Sequence, residues 1–260
     1  MTAQVRRSAR VFLRHRNLSC VLDLGVLFFA QEAKPLLLLS LLVAVPGALA
    51  TYAIGQLAGQ WLAWTFAFVA GGLAQLPFTV FLGRSVFEAS PKLRDVLRAS
   101  VKLVPQALVL SVIETVSLVC ALSLFVLPAL WVRTAMFFGR EILCLEQLSL
   151  GAALSRSQRL GQSGLSEAMP AALLMATMHL SAVFFADYVG AQALSGLFGF
   201  DVRPQVLSEG GGLLASLGYW GFCVYAAIAR FFLYLNARTR TEGWDVQARF
   251  VGLGARGAAL

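Results

Sequence analysis

Long apolar runs alternate with short charged segments along almost the whole chain. A helix needs about 20 apolar residues to cross a bilayer, and six of the runs approach or exceed that length. We therefore predict an all-α, polytopic integral membrane bundle with six transmembrane helices. The predicted spans are residues 36–57, 61–82, 105–127, 129–146, 170–190 and 211–235.

The segments outside these spans are basic and amphipathic. Residues 1–34 are predicted to be a basic arm followed by an interfacial helix from about residue 23, which is too short to span a membrane. Residues 91–104 combine an apolar face with a basic one, which is typical of a helix lying on the membrane surface, although a solvated connector is the alternative. Residues 236–260 are predicted to be a basic tail, so the membrane domain covers residues 35–235.

Composition supports this class. Hydrophobic residues make up 58% of the chain and charged residues only 13%, whereas soluble domains carry about 25% charged residues. The net charge of +8 lies in short segments beside the apolar runs, which argues against nucleic-acid binding and favours anionic lipid head groups. The positive-inside rule then predicts a multi-pass membrane protein with both termini in the cytoplasm.

One pattern occurs three times. An amphipathic segment ends at a proline, and two predicted spans follow it, so the three units would share one orientation. This is compatible with a threefold repeat of helical hairpins about the membrane normal. The three junctions are Lys34-Pro35, Val104-Pro105 and Met169-Pro170.

Charged residues inside the spans are the candidate functional groups, because each is costly in a membrane. Glu114 and Arg140 lie at equal depths below the Leu127-Pro128 turn, so we predict a buried ion pair between them. Two interpretations remain open: the charges hold the helices in register, or they line a polar cavity of a small transporter or channel. The predicted intramembrane cluster comprises Glu114, Arg133, Arg140, Glu141, His179 and Asp187.

Nothing in the sequence indicates catalysis. The motifs of metalloproteases, serine hydrolases and phosphate-binding loops are missing, and the four cysteines are scattered without metal-ligand spacing. His179 stands alone in an apolar run. We expect no cofactor, no metal and no catalytic residues.

Three short motifs, in this order and spacing, resemble a known family. They are Leu22-Asp-Leu-Gly25 before Lys34-Pro-Leu-Leu-Leu-Leu39, Leu127-Pro128 before Glu146 and Ala153-Leu-Ser-Arg-Ser-Gln-Arg-Leu160, and Phe231-Phe-Leu-Tyr-Leu-Asn-Ala-Arg-Thr-Arg-Thr-Glu-Gly-Trp-Asp245. Together they look like the membrane domain N-terminal to some glycerophosphodiester phosphodiesterases, and its stand-alone relatives of unknown function. The resemblance implies a six-helix membrane fold in a bacterial inner membrane. It does not carry over a hydrolase, because that chemistry belongs to a separate soluble barrel of the family, which we do not expect in these residues.

The leading hypothesis is a non-enzymatic scaffold or lipid-interacting accessory protein that acts through a basic cytoplasmic face. Membrane lipids with anionic head groups, and a protein partner in the membrane, are the expected ligands. We expect Glu242 or Asp245 to pair with Arg156 or Arg159. The predicted face comprises Arg94, Arg98, Lys102, Arg156, Arg159, Arg238, Arg240, Glu242, Trp244 and Asp245.

Overall fold

The computed structural model describes residues 16–86 and 91–242, and these residues form a bundle of helices. The helices within these ranges are α1 (Leu18–Gln31), α2 (Ala33–Ala58), α3 (Gln60–Ala74), α4 (Leu76–Ser85), α5 (Leu93–Leu124), α6 (Val126–Ala135), α7 (Gly139–Glu146), α8 (Leu150–Ser163), α9 (Leu165–Phe198), α10 (Val206–Glu209) and α11 (Leu213–Glu242).

Five helical segments are long and apolar enough to cross a membrane, with α3 and α4 counted as one segment. They are Ala33–Ala58, Gln60–Ser85, Leu93–Leu124, Leu165–Phe198 and Leu213–Thr241. The described chain therefore has the features of a multi-pass helical membrane protein, as its hydropathy pattern predicts.

The predicted fourth span, 129–146, differs from a single helix. It consists of α6, which has 10 residues, and α7, which has 8, separated at residues 136–138. Neither helix alone can cross a bilayer core of about 30 Å at 1.5 Å per residue. Six spans therefore remain a prediction, in which α6 and α7 together would provide the fourth crossing.

Two of the three proline junctions are not helix boundaries. Pro105 lies inside α5, and Pro170 is the sixth residue of α9. The predicted surface helix at 91–104 is therefore continuous with the following span, and α5 reaches 32 residues, or about 48 Å. A proline removes one backbone hydrogen bond, which a long helix packed against neighbours tolerates. The threefold repeat remains a prediction.

The first helix packs against the last one. The side chain of Asn236 bonds both backbone groups of Arg16: Nδ2 donates to the carbonyl at 3.1 Å, and Oδ1 accepts from the N–H at 2.8 Å. Phe28 packs edge-on against Phe232, with ring centroids 5.5 Å apart. The predicted helix from residue 23 thus begins five residues earlier, at Leu18, and one face of it is covered by α11.

Helix α8 packs against the break between α6 and α7 and bonds its backbone. The Ser157 hydroxyl donates to the carbonyl of Ala135 at 2.9 Å and accepts from the backbone N–H of Phe138 at 3.2 Å. Gly161 lies so close that a Cβ there would be 2.7 Å from the Thr134 carbonyl oxygen. Helix α8 thus satisfies two backbone groups at the break and stabilises the 136–138 turn.

Candidate functional site

Five buried polar side chains meet inside the bundle, and we call them the buried charge cluster: Gln75, Glu114, Arg140, Glu141 and Arg230. Each has a relative accessibility of 6% or less. Gln75 lies between α3 and α4, and Glu114 lies on α5. Arg140 and Glu141 lie in the first turn of α7, and Arg230 lies on α11. Four separate segments of the chain therefore contribute to one site.

Two ion pairs form the cluster. Arg140 Nη2 donates to Glu114 Oε2, which is the contact that the sequence predicts. Arg230 Nη2 donates to Glu141 Oε2 at 3.0 Å. Between the pairs, Gln75 Oε1 accepts from Nη1 of Arg140 at 3.1 Å and from Nη1 of Arg230 at 3.4 Å. Paired guanidinium groups of this kind are far less costly to bury than single charges.

The break between α6 and α7 supplies a further acceptor. The carbonyl of Phe137 accepts a hydrogen bond from Arg230 Nη2, and the Arg230 guanidinium lies 5.2 Å from the centroid of the Phe137 ring. In a continuous helix this carbonyl would bond the N–H four residues later. The break therefore lets the backbone bind a buried cation.

Glycine at position 72 makes room for the cluster. A Cβ at Gly72 would lie 2.2 Å from Ser111 Oγ and 3.1 Å from Arg140 Nη2. The sequence pattern Gly71-Gly72 predicts close packing, and here it allows α3 and α5 to approach.

Several buried polar atoms of this region have no hydrogen-bond partner among the described residues. They are Ser111 Oγ, Glu114 Oε1, Arg140 Nε, Glu141 Oε1 and Arg230 Nε. A buried polar group without a partner costs about 1–3 kcal/mol, so a concentration of such atoms marks either strain or a binding function.

The remaining residues predicted for the intramembrane cluster lie elsewhere or are unpaired. Arg133 is half-buried and makes no ion pair or hydrogen bond with the described residues. Asp187 accepts from the backbone N–H groups of Gln205 and Val206, at 2.8 and 2.9 Å, and so anchors the start of α10. His179 Nε2 donates to the carbonyl of Tyr219 at 3.1 Å, because a carbonyl can only accept. Asp187 and His179 thus satisfy backbone groups instead of joining the buried charge cluster.

Sequence reasoning missed two members of the cluster. Arg230 lies near the end of the predicted span 211–235, and that position alone does not assign it a partner. Gln75 is uncharged, and only the assembled bundle places it between two arginines.

Several basic residues near the α7–α8 turn and the end of α11 are paired. Glu146 binds Arg156 Nε at 2.5 Å and Arg238 Nη1 at 3.8 Å, and its other contact is the Tyr234 hydroxyl. Arg240 pairs with Glu167. Among the described residues, Arg156 pairs with Glu146 where α8 packs against α7. Its predicted pairing with Glu242 or Asp245 stays a prediction. The side chain of Glu242, and Trp244 and Asp245 entirely, lie outside the described residues.

The other predicted basic residues are free in the part of the chain that the structure describes. Arg94, Arg98, Lys102 and Arg159 are exposed and make no ion pair or hydrogen bond with residues 16–86 or 91–242. Among those residues there is also no group of three or more His, Cys, Asp and Glu side chains that could hold a metal ion.

Comparisons with family models, curated proteins and solved structures find no significant match to this chain.

Proposed function

We propose that this chain is a non-enzymatic membrane protein that binds anionic lipid head groups through Arg94, Arg98 and Lys102 of α5, which we call the basic stripe. Spacing by four residues places the three cations on one side of the helix. One observation carries the proposal: the exposed side of α5 changes from charged and mainly basic, with Asp95 as its acidic residue, to mainly apolar at residues 101–102.

That change marks where the helix enters the membrane. C-terminal to it, the exposed large side chains of α5 other than Gln106 are apolar, beginning with Val101 at 67% exposure and continuing through Val109 and Val116 to Leu124. At about 48 Å, α5 exceeds the bilayer core by about 18 Å, or twelve residues. Those twelve residues correspond to 93–104, so the basic stripe would lie among the head groups, where each cation contributes about 1 kcal/mol.

The free state of the stripe, which Arg159 of α8 shares, distinguishes it from Arg156, Arg238 and Arg240. Arg156, Arg238 and Arg240 already pair with Glu146 or Glu167 and hold α7, α8, α9 and α11 together. The residues of the stripe form no ion pair with the described residues, so their charges are available to a ligand.

The wider setting also belongs to this proposal. We place the protein in a bacterial inner membrane, as the family resemblance implies, with six spans and with the cytoplasmic termini that the positive-inside rule predicts. A relationship to the membrane domain of glycerophosphodiester phosphodiesterases would fit a role as an accessory or scaffold protein beside a lipid-active partner.

The transporter or channel alternative has less support. Ionisable groups inside a membrane favour function by default. Here, however, Glu114, Arg140, Glu141 and Arg230 pair with one another, and His179 and Asp187 bond backbone groups. Pairing of this kind is what a structural role requires.

The test compares lipids retained by the purified full-length protein. The variant Arg94→Gln/Arg98→Gln/Lys102→Gln should retain fewer anionic lipids than the wild type in quantitative lipid mass spectrometry, with zwitterionic lipids unchanged. Arg203→Gln is the matched control, since Arg203 is equally cationic, is 85% exposed and lies between α9 and α10. If the triple variant and the wild type retained equal amounts of anionic lipid, the proposal would be refuted. Loss of a bound protein from the triple variant would not rescue it.

A further inference from the structure

A thiol and an imidazole lie side by side between α9 and α11. The Sγ atom of Cys223 on α11 lies 3.8 Å from Nε2 of His179 on α9. Cys223 is 2% exposed, whereas His179 is half-buried, so the imidazole can be reached from the surface of the bundle. Both residues lie in segments that are long and apolar enough to cross a membrane. Two side chains that bind soft metal ions are thus adjacent inside the bundle.

The distance between the two atoms suits a metal ion that bridges them. Thiolate sulfur binds a metal such as zinc at about 2.3 Å and imidazole nitrogen at about 2.0 Å, so one ion can join donors up to about 4.3 Å apart. At 3.8 Å, Sγ and Nε2 lie within that limit. A hydrogen bond from the thiol is the other way to use this contact. It is blocked here, because Nε2 donates its proton to the carbonyl of Tyr219 at 3.1 Å and has no lone pair left.

Two aromatic rings hold the imidazole in position. The ring centroids of Tyr219 and Phe222 lie 4.4 and 4.8 Å from the centroid of His179. The Tyr219 hydroxyl donates to the carbonyl of Ala67 at 3.0 Å, which fixes that ring against α3. The imidazole is therefore oriented by packing before any ligand binds, as a precise site requires.

We propose that Cys223 and His179 bind one copper(I) ion. Thiolate ligands select copper(I), imidazole also binds copper, and copper(I) accepts low coordination numbers. A thiolate and a monovalent ion form a neutral pair, whereas a divalent ion would leave a net positive charge, which is costly in an apolar bundle.

The proton balance of binding is simple. The Cys223 thiol releases its proton to water as Sγ bonds the metal. The imidazole stays neutral: its proton moves from Nε2 to Nδ1, and Nε2 exchanges its hydrogen bond to the Tyr219 carbonyl for a bond to copper. No change of oxidation state is required.

The experiment titrates copper(I) into the full-length protein in detergent, without oxygen and in competition with the coloured chelator bicinchoninate. The wild type should bind one equivalent of copper(I), and Cys223→Ser and His179→Gln should each bind it at least about tenfold more weakly. Residues that only orient a metal ligand already contribute that much to affinity. Cys144→Ser is the matched control, since this thiol is also buried but contacts no imidazole of the described residues, and it should bind as the wild type does.

X-ray absorption at the copper edge provides a test that needs no variant. In the loaded wild type, sulfur and nitrogen should both be bound to copper. The melting temperatures of Cys223→Ser and His179→Gln without copper show whether they fold, and if one does not, the absorption spectrum of the wild type decides the question.

Four results would overturn the proposal. They are no binding of copper(I) by the wild type, equal affinities of the wild type and Cys223→Ser, a loss of affinity in Cys223→Ser without one in His179→Gln, and bound copper that has only sulfur or no sulfur beside it. The third result would show that the thiol binds copper without the imidazole.

Discussion

Arg140 and Arg230 donate to the same atom, Oε1 of Gln75, at 3.1 and 3.4 Å. Two guanidinium groups repel each other, so this arrangement depends on the glutamate that each of them also binds. The amide oxygen lies between the two ion pairs and joins them into one network. Gln75 therefore links α7 and α11 through hydrogen bonds although it carries no charge.

The shared acceptor leads to the first prediction. Gln75→Leu should destabilise the protein by about 2–3 kcal/mol, because two charged donors lose a hydrogen bond inside the bundle. Thermal unfolding in detergent measures the loss. Gln106→Leu makes the same chemical change at an exposed position of α5 and should have little effect. Equal melting temperatures for Gln75→Leu and the wild type would show that the network does not depend on this amide.

The second prediction concerns the Glu114–Arg140 pair. Glu114→Leu should cost about 3–5 kcal/mol, since it leaves a buried arginine without its carboxylate. Glu114→Leu combined with Arg140→Met should recover most of that loss, because replacing both members of a buried pair by apolar groups is often neutral. A double-mutant cycle by thermal unfolding checks this. Additive losses would contradict direct coupling of the two side chains.

The exposed pair Arg203–Asp201 provides the contrast. Its atoms are 3.6 Å apart and both side chains are more than 80% exposed, so the same double replacement there should leave unfolding unchanged.

The third prediction tests whether the close packing around Gly72 excludes a larger side chain. Gly72→Ala should destabilise the protein by about 1–3 kcal/mol, since the new methyl group would meet Ser111 Oγ at 2.2 Å. Gly196→Ala is the matched control, because a Cβ there meets no atom within 4 Å and alanine is the better helix former by about 1 kcal/mol. The two variants should therefore shift the melting temperature in opposite directions. A shift in the same direction would contradict the packing at Gly72.

The fourth prediction concerns the carboxylate of Asp187. It accepts the backbone N–H groups of Gln205 and Val206, so Asp187→Ala should loosen residues 199–212 while leaving the buried charge cluster intact. Hydrogen exchange of these residues should speed up, and that of α7 should not. Asp187→Asn keeps one acceptor oxygen and should have a smaller effect. Unchanged exchange in Asp187→Ala would show that the loop is held by other contacts.

Several features of the fold follow from the sequence alone. Apolar runs of about 20 residues can only be helices in a membrane, because backbone groups there must be satisfied within the segment. Rise per residue is fixed, so the depths of Glu114 and Arg140 could be compared without coordinates, and their contact could be predicted. The turn itself is predicted at Leu127-Pro128 and lies at Phe125, because α5 ends at Leu124 and α6 begins at Val126. Both inferences use only local geometry.

Other features depend on how the helices pack. Helical periodicity alone favours a continuous span at 129–146. In the structure, Ser157 of α8 bonds the backbone of Ala135 and Phe138, and Arg230 binds the Phe137 carbonyl, so a break is favourable there. Pro105 marked a boundary by local propensity, yet α5 continues through it where neighbouring helices support it. The charged residues were all visible in the sequence, but which arginine has a partner and which has none depends on distances between segments far apart in the chain. The sequence therefore determined the helices and the depths of their charges, and only the tertiary structure decided that Arg140 and Arg230 are paired while Arg133 is left with a free charge.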